Sequence, residues 1–407
     1  MSLFSTTGAP RGRLVPLLDT EHAAAKKLMS DGYAIVTVCT PERAAELAAG
    51  LWADIETTCP GVDCHKPETW TNNLWLQTTH ELAQNQQIGL MQGVCEARVE
   101  TMPMWMALFG GKRVISSFDA ASFARPVQQG NKYKAELSHQ RKHGEPQLLS
   151  SWLHTDQAKG KSECLRHVQG AFALTALGVA EQRTQLVVPR EGETMQSFRD
   201  RFLAAFPPVP GLKAKDIERR EWVQHTHEAG AAEERKWLLE NGRVITPVLA
   251  AGEMLLWDSG VPHASVPGPC DRSAERAMRM TTFISALPIE LIEPADLKLR
   301  REMLESGVTS GHRVTELGLT KAKPYIACKF ANTGRTWGRD LPDYNAARLV
   351  TGIKRAWNAG EKPTIAYKMA KHCGGYGHLP TDAQETDDEW DPEDYEEEAL
   401  AAAEPVA

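Results

Sequence analysis

The sequence has no run of 18 apolar residues, so no part of it is expected to cross a membrane as a helix. It also has no CxxC pair. Its eight cysteines (Cys39, Cys59, Cys64, Cys95, Cys164, Cys270, Cys328 and Cys373) are scattered. Cys59, Cys64 and His65 lie close together, but no second half of a zinc site follows at a suitable spacing. Free thiols in a cytoplasmic protein are the simplest reading. The first twenty residues carry Arg11 and Arg13 but no apolar stretch, so no secretory signal is expected, and a transit peptide is the alternative.

Strong positive charge is missing too. The formal net charge is −7, but 12 of the 53 acids fall from Asp382 onward, where there is no base. The rest of the chain sets 41 acids against 46 bases, a balance of +5. That is too slight over its length to argue for a nucleic-acid partner. Hydrophobic residues at 42% and charged residues at 24% are ordinary for a globular chain and exclude a disordered or collagen-like one.

What is present reads as a mixed chain. His22 to Met29 has helical character, and Tyr33 to Val38 is a β-branched strand. Thr40-Pro41-Glu42 combines a capping hydroxyl, a proline at the first helical position and an early acid. Ala44, Leu47, Ala48, Leu51, Trp52 and Ile55 then recur at helical spacing until Cys59-Pro60-Gly61. Residues 66–120 read as helical and loop-rich, and Arg125 to Gln147 as a polar loop, either plain surface or a mobile element near an acidic substrate.

From about 150 to 288 the pattern turns to strands: Val168–Thr175, Gln185–Val188, Arg243–Val248, Glu253–Trp257 and Arg276–Ser285. Thr194–Phe206 and Glu228–Glu240 interrupt them as helices. Short strands separated by turns suggest a sandwich or jelly roll. The expected organisation is a flexible segment 1–19 and a core 20–290 with a helical insertion near 190–242. A mixed extension 291–380 follows, with helices near 293–306 and 345–358, and then an acidic disordered tail 381–407.

The chemistry concentrates in Ser151–Gln157 (SWLHTDQ). A His and an Asp two apart in extended chain project to one side, so His154 and Asp156 can share a metal. The spacing excludes a helical HExxH site. A second element, Gly252–Ser265 (GEMLLWDSGVPHAS), is an apolar strand running into a turn that presents His263. Two histidines and one carboxylate form the facial triad that leaves metal positions open for non-haem Fe(II) oxygenases. A third element, Arg276–Ser285 (RAMRMTTFIS), places two arginines near a strand start, where one could fork onto a carboxylate. Ser265 could add a second hydrogen bond there. Gln169 either faces the site or bonds to backbone, Asp258 is a nearby acceptor or turn cap, and His225-Thr-His227 reads as loop.

The order HxD, strand-borne His, then Arg resembles the Fe(II)/2-oxoglutarate oxygenases. More narrowly, Val168–Leu177 (VQGAFALTAL), Leu186–Pro189 (LVVP) and Gly252–Trp257 (GEMLLW) are similar to the phytanoyl-CoA dioxygenase family, as is the opening at Asp31-Gly32-Tyr33. The likeness covers roughly residues 20–290. It departs from the family at Pro189-Arg190-Glu191-Gly192, where members usually read Pro-Gly-Ser-His.

The resemblance implies an α+β chain with a mainly β core, a double-stranded β-helix or jelly roll. It implies Fe(II) on His154, Asp156 and His263, with 2-oxoglutarate and dioxygen as cosubstrates. It also implies hydroxylation of a small organic molecule through an iron(IV)-oxo species, with release of succinate and carbon dioxide. Asp156 keeps the carboxylate that halogenating relatives replace by a small residue. The distal carboxylate of 2-oxoglutarate would meet Ser265 and one arginine. Strand alternation lets only one of Arg276 and Arg279 point inward, and alone it does not choose. The family's aromatic seven residues beyond its arginine matches Arg276 with Phe283 and favours Arg276. The other classes open are a binding protein that keeps the fold without catalysis, and a facial-triad metalloenzyme that does not use 2-oxoglutarate.

Overall fold

The computed structural model describes residues 17–70, 82–83, 89, 91–119, 121–124, 152–157, 159, 162–179, 183–207, 223–225, 231–266, 278–305 and 311–314. Helix α1 (Ala23–Asp31) starts at His22, whose Nδ1 accepts the Ala24 N–H, and stops at Gly32. Strand β1 (Tyr33–Thr37) follows. Helix α2 (Pro41–Thr58) is capped by Thr40, whose hydroxyl accepts the Arg43 N–H at 3.3 Å. Its apolar stripe of Ala44, Leu47, Leu51 and Ile55 is fully buried. Each of the larger side chains there stabilises the fold by roughly 1.5–3 kcal/mol. The stripe packs on α3 (Gln92–Glu100), where Asp54 accepts the Gly93 N–H at 2.8 Å. Helix α4 (Met102–Leu108) follows.

The strands form two antiparallel sheets. The larger joins β1, β10 (Glu253–Asp258), β6 (Val168–Ala173), β12 (Arg279–Pro288), β4 (Ala121–Ala124) and β2 (Leu82–Ala83) in that order, with β3 (Val114–Ser116) beside the far end of β12. The smaller runs β8 (Val223–Gln224), β5 (His154–Thr155), β11 (His263–Val266), β7 (Arg183–Val188), β9 (Arg243–Ile245). Helices α5 (Met195–Ala205) and α6 (Ala231–Asn241) lie between β7 and β9 in sequence, and α7 (Pro294–Glu305) follows β12.

Strand β6 is buried along its whole length, as a central strand covered on both faces must be. A Cβ on its Gly170 would sit 2.0 Å from the Met254 terminal carbon and 2.8 Å from the Ile284 carbonyl, so only glycine lets β10 and β12 close on it. Strand β12 alternates. Met280, Ile284 and Ala286 enter the hydrophobic core, while Arg279, Phe283 and Ser285 line a cavity. The same cavity is lined by His154, Thr184, His263 and Ser265 of the smaller sheet, so it lies between the two sheets.

Most expected elements appear with ends shifted by one to three residues. The strand expected over Arg276–Ser285 runs over Arg279–Pro288. The polar loop 125–147, the helix near 345–358 and the acidic tail lie outside the described residues. Two strands with no clear sequence pattern, β3 and β4, join the larger sheet through β12. Two fully buried arginines hold the turn between them. Arg98 donates to the Asp119 carbonyl at 2.9 Å, and Arg300 donates to the Ser116 carbonyl while stacking over Phe118. Ile292, Leu297 and Val314, from beyond β12, complete the core. No helix among the described residues is long and apolar enough to cross a membrane.

Candidate metal centre

His154 and His263 open β5 and β11 and pair directly opposite each other in the sheet. Neighbouring antiparallel positions put side chains on one face, and the two rings lie 4.3 Å apart, centroid to centroid. Asp156 sits just past the end of β5, fixed by its backbone N–H to the Ser259 carbonyl at 3.0 Å. Its Oδ2 is 3.3 Å from His263 Nε2 and its Oδ1 is 3.9 Å from His154 Nε2. The three ligand atoms all lie within 4.8 Å of one another, and all three residues are buried.

The other ring nitrogens fix what these atoms offer. His154 Nδ1 donates to the Trp152 carbonyl at 2.8 Å, and His263 Nδ1 donates to the Val261 carbonyl at 2.9 Å. A proton held there leaves the Nε2 lone pair of the neutral ring facing Asp156, the usual arrangement of metal-ligating histidines. Burial, and next the neighbouring His263, push the His154 imidazole down to about 3, so it stays neutral. Burial alone would raise the Asp156 carboxyl, but its surroundings, His312 first, outweigh it and hold it well below the usual range. Two lone pairs and a carboxylate facing one point repel unless a cation lies among them. The N, N, O donor set therefore fits a divalent metal, and an open His-His-carboxylate face suits Fe(II).

Gln169 faces the site. Its Nε2 donates to Asp156 Oδ2 at 2.8 Å, while its Oε1 is buried with no hydrogen-bond partner among the described residues. Trp257 and Trp152 flank His263 and His154 at 5.3 and 4.6 Å between ring centroids. Asp258 resolves as a turn cap: it is fully buried and accepts N–H groups from Gly260 and Leu165. His225 lies in a turn just past β8 and is fully buried, its Nδ1 2.6 Å from the Glu234 carboxylate, and His227 lies outside the described residues.

Among the described residues, Arg279 is the arginine that lines the cavity. It is 2% exposed, and its guanidinium donates to Ser265 Oγ at 3.0 Å and Thr281 Oγ1 at 3.2 Å. The inward face of β12 is therefore the odd-numbered one, against the preference for Arg276, which itself lies outside the described residues. The physical reason is the even face, where Met278, Met280, Ile284 and Ala286 are needed in the core.

The cavity has a volume of about 350 Å³, at the small end of organic-ligand sites. Asp119, Ser122, Trp152, Thr184 and Ser285 add to its wall, none of them singled out by sequence. Neither were Gly311 and His312, which reach the cavity from beyond α7. A second cluster, Glu56, Asp63 and Cys64, lies near the surface, where Glu56 already accepts the Cys64 N–H.

No protein-family model matches the sequence. No curated protein matches it either. The solved structures it is similar to include the epimerase SnoN in complex with Fe3+, alpha ketoglutarate and nogalamycin RO. That match has 12% identity and a TM-score of 0.38, covering 78% of this chain and 95% of that one. EctD from S. alaskensis with 2-oxoglutarate and 5-hydroxyectoine has 12% identity and a TM-score of 0.39, covering 71% and 88%. AviO1 from Streptomyces viridochromogenes Tue57 has 16% identity and a TM-score of 0.37, covering 68% and 96%.

Proposed function

We propose that the chain is an Fe(II)- and 2-oxoglutarate-dependent dioxygenase acting on a small organic molecule, on a phytanoyl-CoA dioxygenase-like plan. The two sheets would be the halves of a double-stranded β-helix within residues 20–290, with 291–380 packed on it. The observation that carries the reading is the convergence of His154, Asp156 and His263 in a cavity that also holds Arg279 and Ser265.

His154, Asp156 and His263 would hold the iron. With 2-oxoglutarate and dioxygen, that metal would supply hydroxylation of a C–H bond, one oxygen atom entering the product and the other the succinate formed as carbon dioxide leaves. The protein's own groups do the rest. The Trp152 and Val261 carbonyls keep the Nδ1 protons away from the ligand atoms. Gln169 orients the carboxylate. Arg279 offers a buried guanidinium, beside the Ser265 hydroxyl, to the distal carboxylate of 2-oxoglutarate. Trp152, Trp257 and Phe283 keep the cavity wall apolar. The test is succinate release from 2-oxoglutarate with Fe(II) across a metabolite set. Absence of any 2-oxoglutarate turnover, with or without added metabolite, argues against the reading.

A further inference from the structure

The two sheets do not close the metal site by themselves. Beyond α7, residues Gly311–Val314 return to it, and Gly311 and His312 form part of the cavity wall. Several contacts seat this segment. The His312 carbonyl accepts from His167 Nε2 at 2.9 Å, and the two rings meet edge to face at 5.7 Å. The Val314 carbonyl accepts from the buried Arg300 at 2.9 Å, and the Val314 side chain is fully enclosed. Arg313 donates to the backbone carbonyl of Asp156 at 3.4 Å.

These contacts bring the His312 ring to the carboxylate. Nδ1 lies 3.8 Å from Asp156 Oδ2, the same oxygen that accepts from Gln169. The distance is beyond a hydrogen bond but short for the attraction between an N–H dipole and a buried carboxylate. The other nitrogen, Nε2, is buried with no partner among the described residues. His312 does not join the three ligand atoms themselves. Its Nδ1 lies beside the carboxylate, nearest Oδ2.

We propose that His312, delivered by the segment after α7, is a positioning residue that holds the Asp156 carboxylate in its metal-facing orientation. The inference rests on the reading of His154, Asp156 and His263 as a metal site. It assigns the extension a part in the centre rather than a role as packing alone.

The test is Co(II) affinity of the full chain, by calorimetric titration without 2-oxoglutarate. His312→Ala is expected to weaken Co(II) binding about tenfold, the usual effect of losing a residue that supports a metal ligand. An asparagine amide can take the place of Nδ1, whereas a glutamine amide falls nearer Nε2. His312→Asn should therefore bind within about twofold of wild type, and His312→Gln should resemble Ala. If Ala folds poorly, the Asn–Gln comparison carries the test. Wild-type affinity in His312→Ala, or equal losses in Asn and Gln, overturns the proposal. A separate control keeps the parent reading apart: if His154→Ala binds Co(II) as wild type does, the metal site itself is wrong.

Discussion

Arg279 and Ser265 are joined between the two sheets: a guanidinium on β12 donates to a hydroxyl on β11 at 3.0 Å. Ser265 stands two residues beyond His263, on the strand that carries that metal-facing histidine. The bond therefore fixes how far the guanidinium stands from the metal centre, and a ligand spanning both must match that separation.

Arg279→Ala should raise the dissociation constant for 2-oxoglutarate about 30-fold or more, the effect of losing roughly 2–5 kcal/mol of buried charge-assisted pairing. Arg279→Lys should recover only part of this, since an ammonium cannot fork onto a carboxylate. Anaerobic titration of the Fe(II)-loaded protein, followed by the metal-to-ligand absorbance band, measures both. An unchanged titration in Arg279→Ala removes it from the cosubstrate site.

His154→Ala and His263→Ala should each weaken Fe(II) binding about tenfold or more. Gln169→Leu should fall in the same direction, because it leaves Asp156 Oδ2 without its 2.8 Å donor. Iron content after anaerobic loading and desalting reports the outcome. Full occupancy in both histidine variants rules out the assignment.

Gly252→Ala should lower stability by several kcal/mol. The backbone there has φ +91, and a Cβ would lie 2.2 Å from the Cys39 carbonyl oxygen. At Gly192 the backbone is also left-handed, with φ +80, but nothing lies within 4 Å of an added Cβ. Gly192→Ala should therefore cost only about 1 kcal/mol. Urea unfolding of the two variants separates clash from backbone strain, and equal losses would contradict the tight turn at Cys39.

Acid should destabilise the metal-free protein from about pH 6.5 downward. Burial, then His312 and Arg313, push the His167 imidazole down to about 3, whereas in the unfolded chain it titrates near 6.5. Between those values the unfolded state binds a proton that the folded state refuses, so stability falls as pH falls. Burial also lowers His225, against the pull of Glu234, and adds in the same sense. His167→Gln, whose amide can still donate to the His312 carbonyl, should flatten part of the slope. Melting temperature against pH checks both, and a flat profile between pH 6.5 and 4 counts against a neutral buried His167.

Much of this molecule is legible in its sequence because local rules and tertiary needs agree. Thr40-Pro41-Glu42 signals a helix start by capping chemistry, and the cap forms. His154 and Asp156 carry a spacing that needs only an extended chain. Between Arg276 and Arg279, four residues of alternation are too few to choose. Extended to Ala286, the even positions read Met278, Met280, Thr282, Ile284 and Ala286, a core face, and leave Arg279 for the cavity. Strand β4, Ala121-Ser122-Phe123-Ala124, is too short to show a strand period and owes its form to its pairing with β12. His312 carries no local signal: its place depends on His167 and Asp156, both distant in sequence, and on Arg300 of α7.

The facing pair of β5 and β11 also bears on how the chain reaches its native state. His154 and His263 are partners in register although more than a hundred residues separate them. Closing a loop of that length must come before the pairing returns any stabilisation, so this corner of the sheet is expected to assemble late in folding. An unfolded chain holds the two imidazoles too far apart to chelate. Metal affinity then counts almost wholly toward the folded state, adding about 2.7 kcal/mol when free metal is a hundredfold above its dissociation constant. On the proposed reading, metal supply would thus bear on the stability of the fold as well as on the competence of its centre.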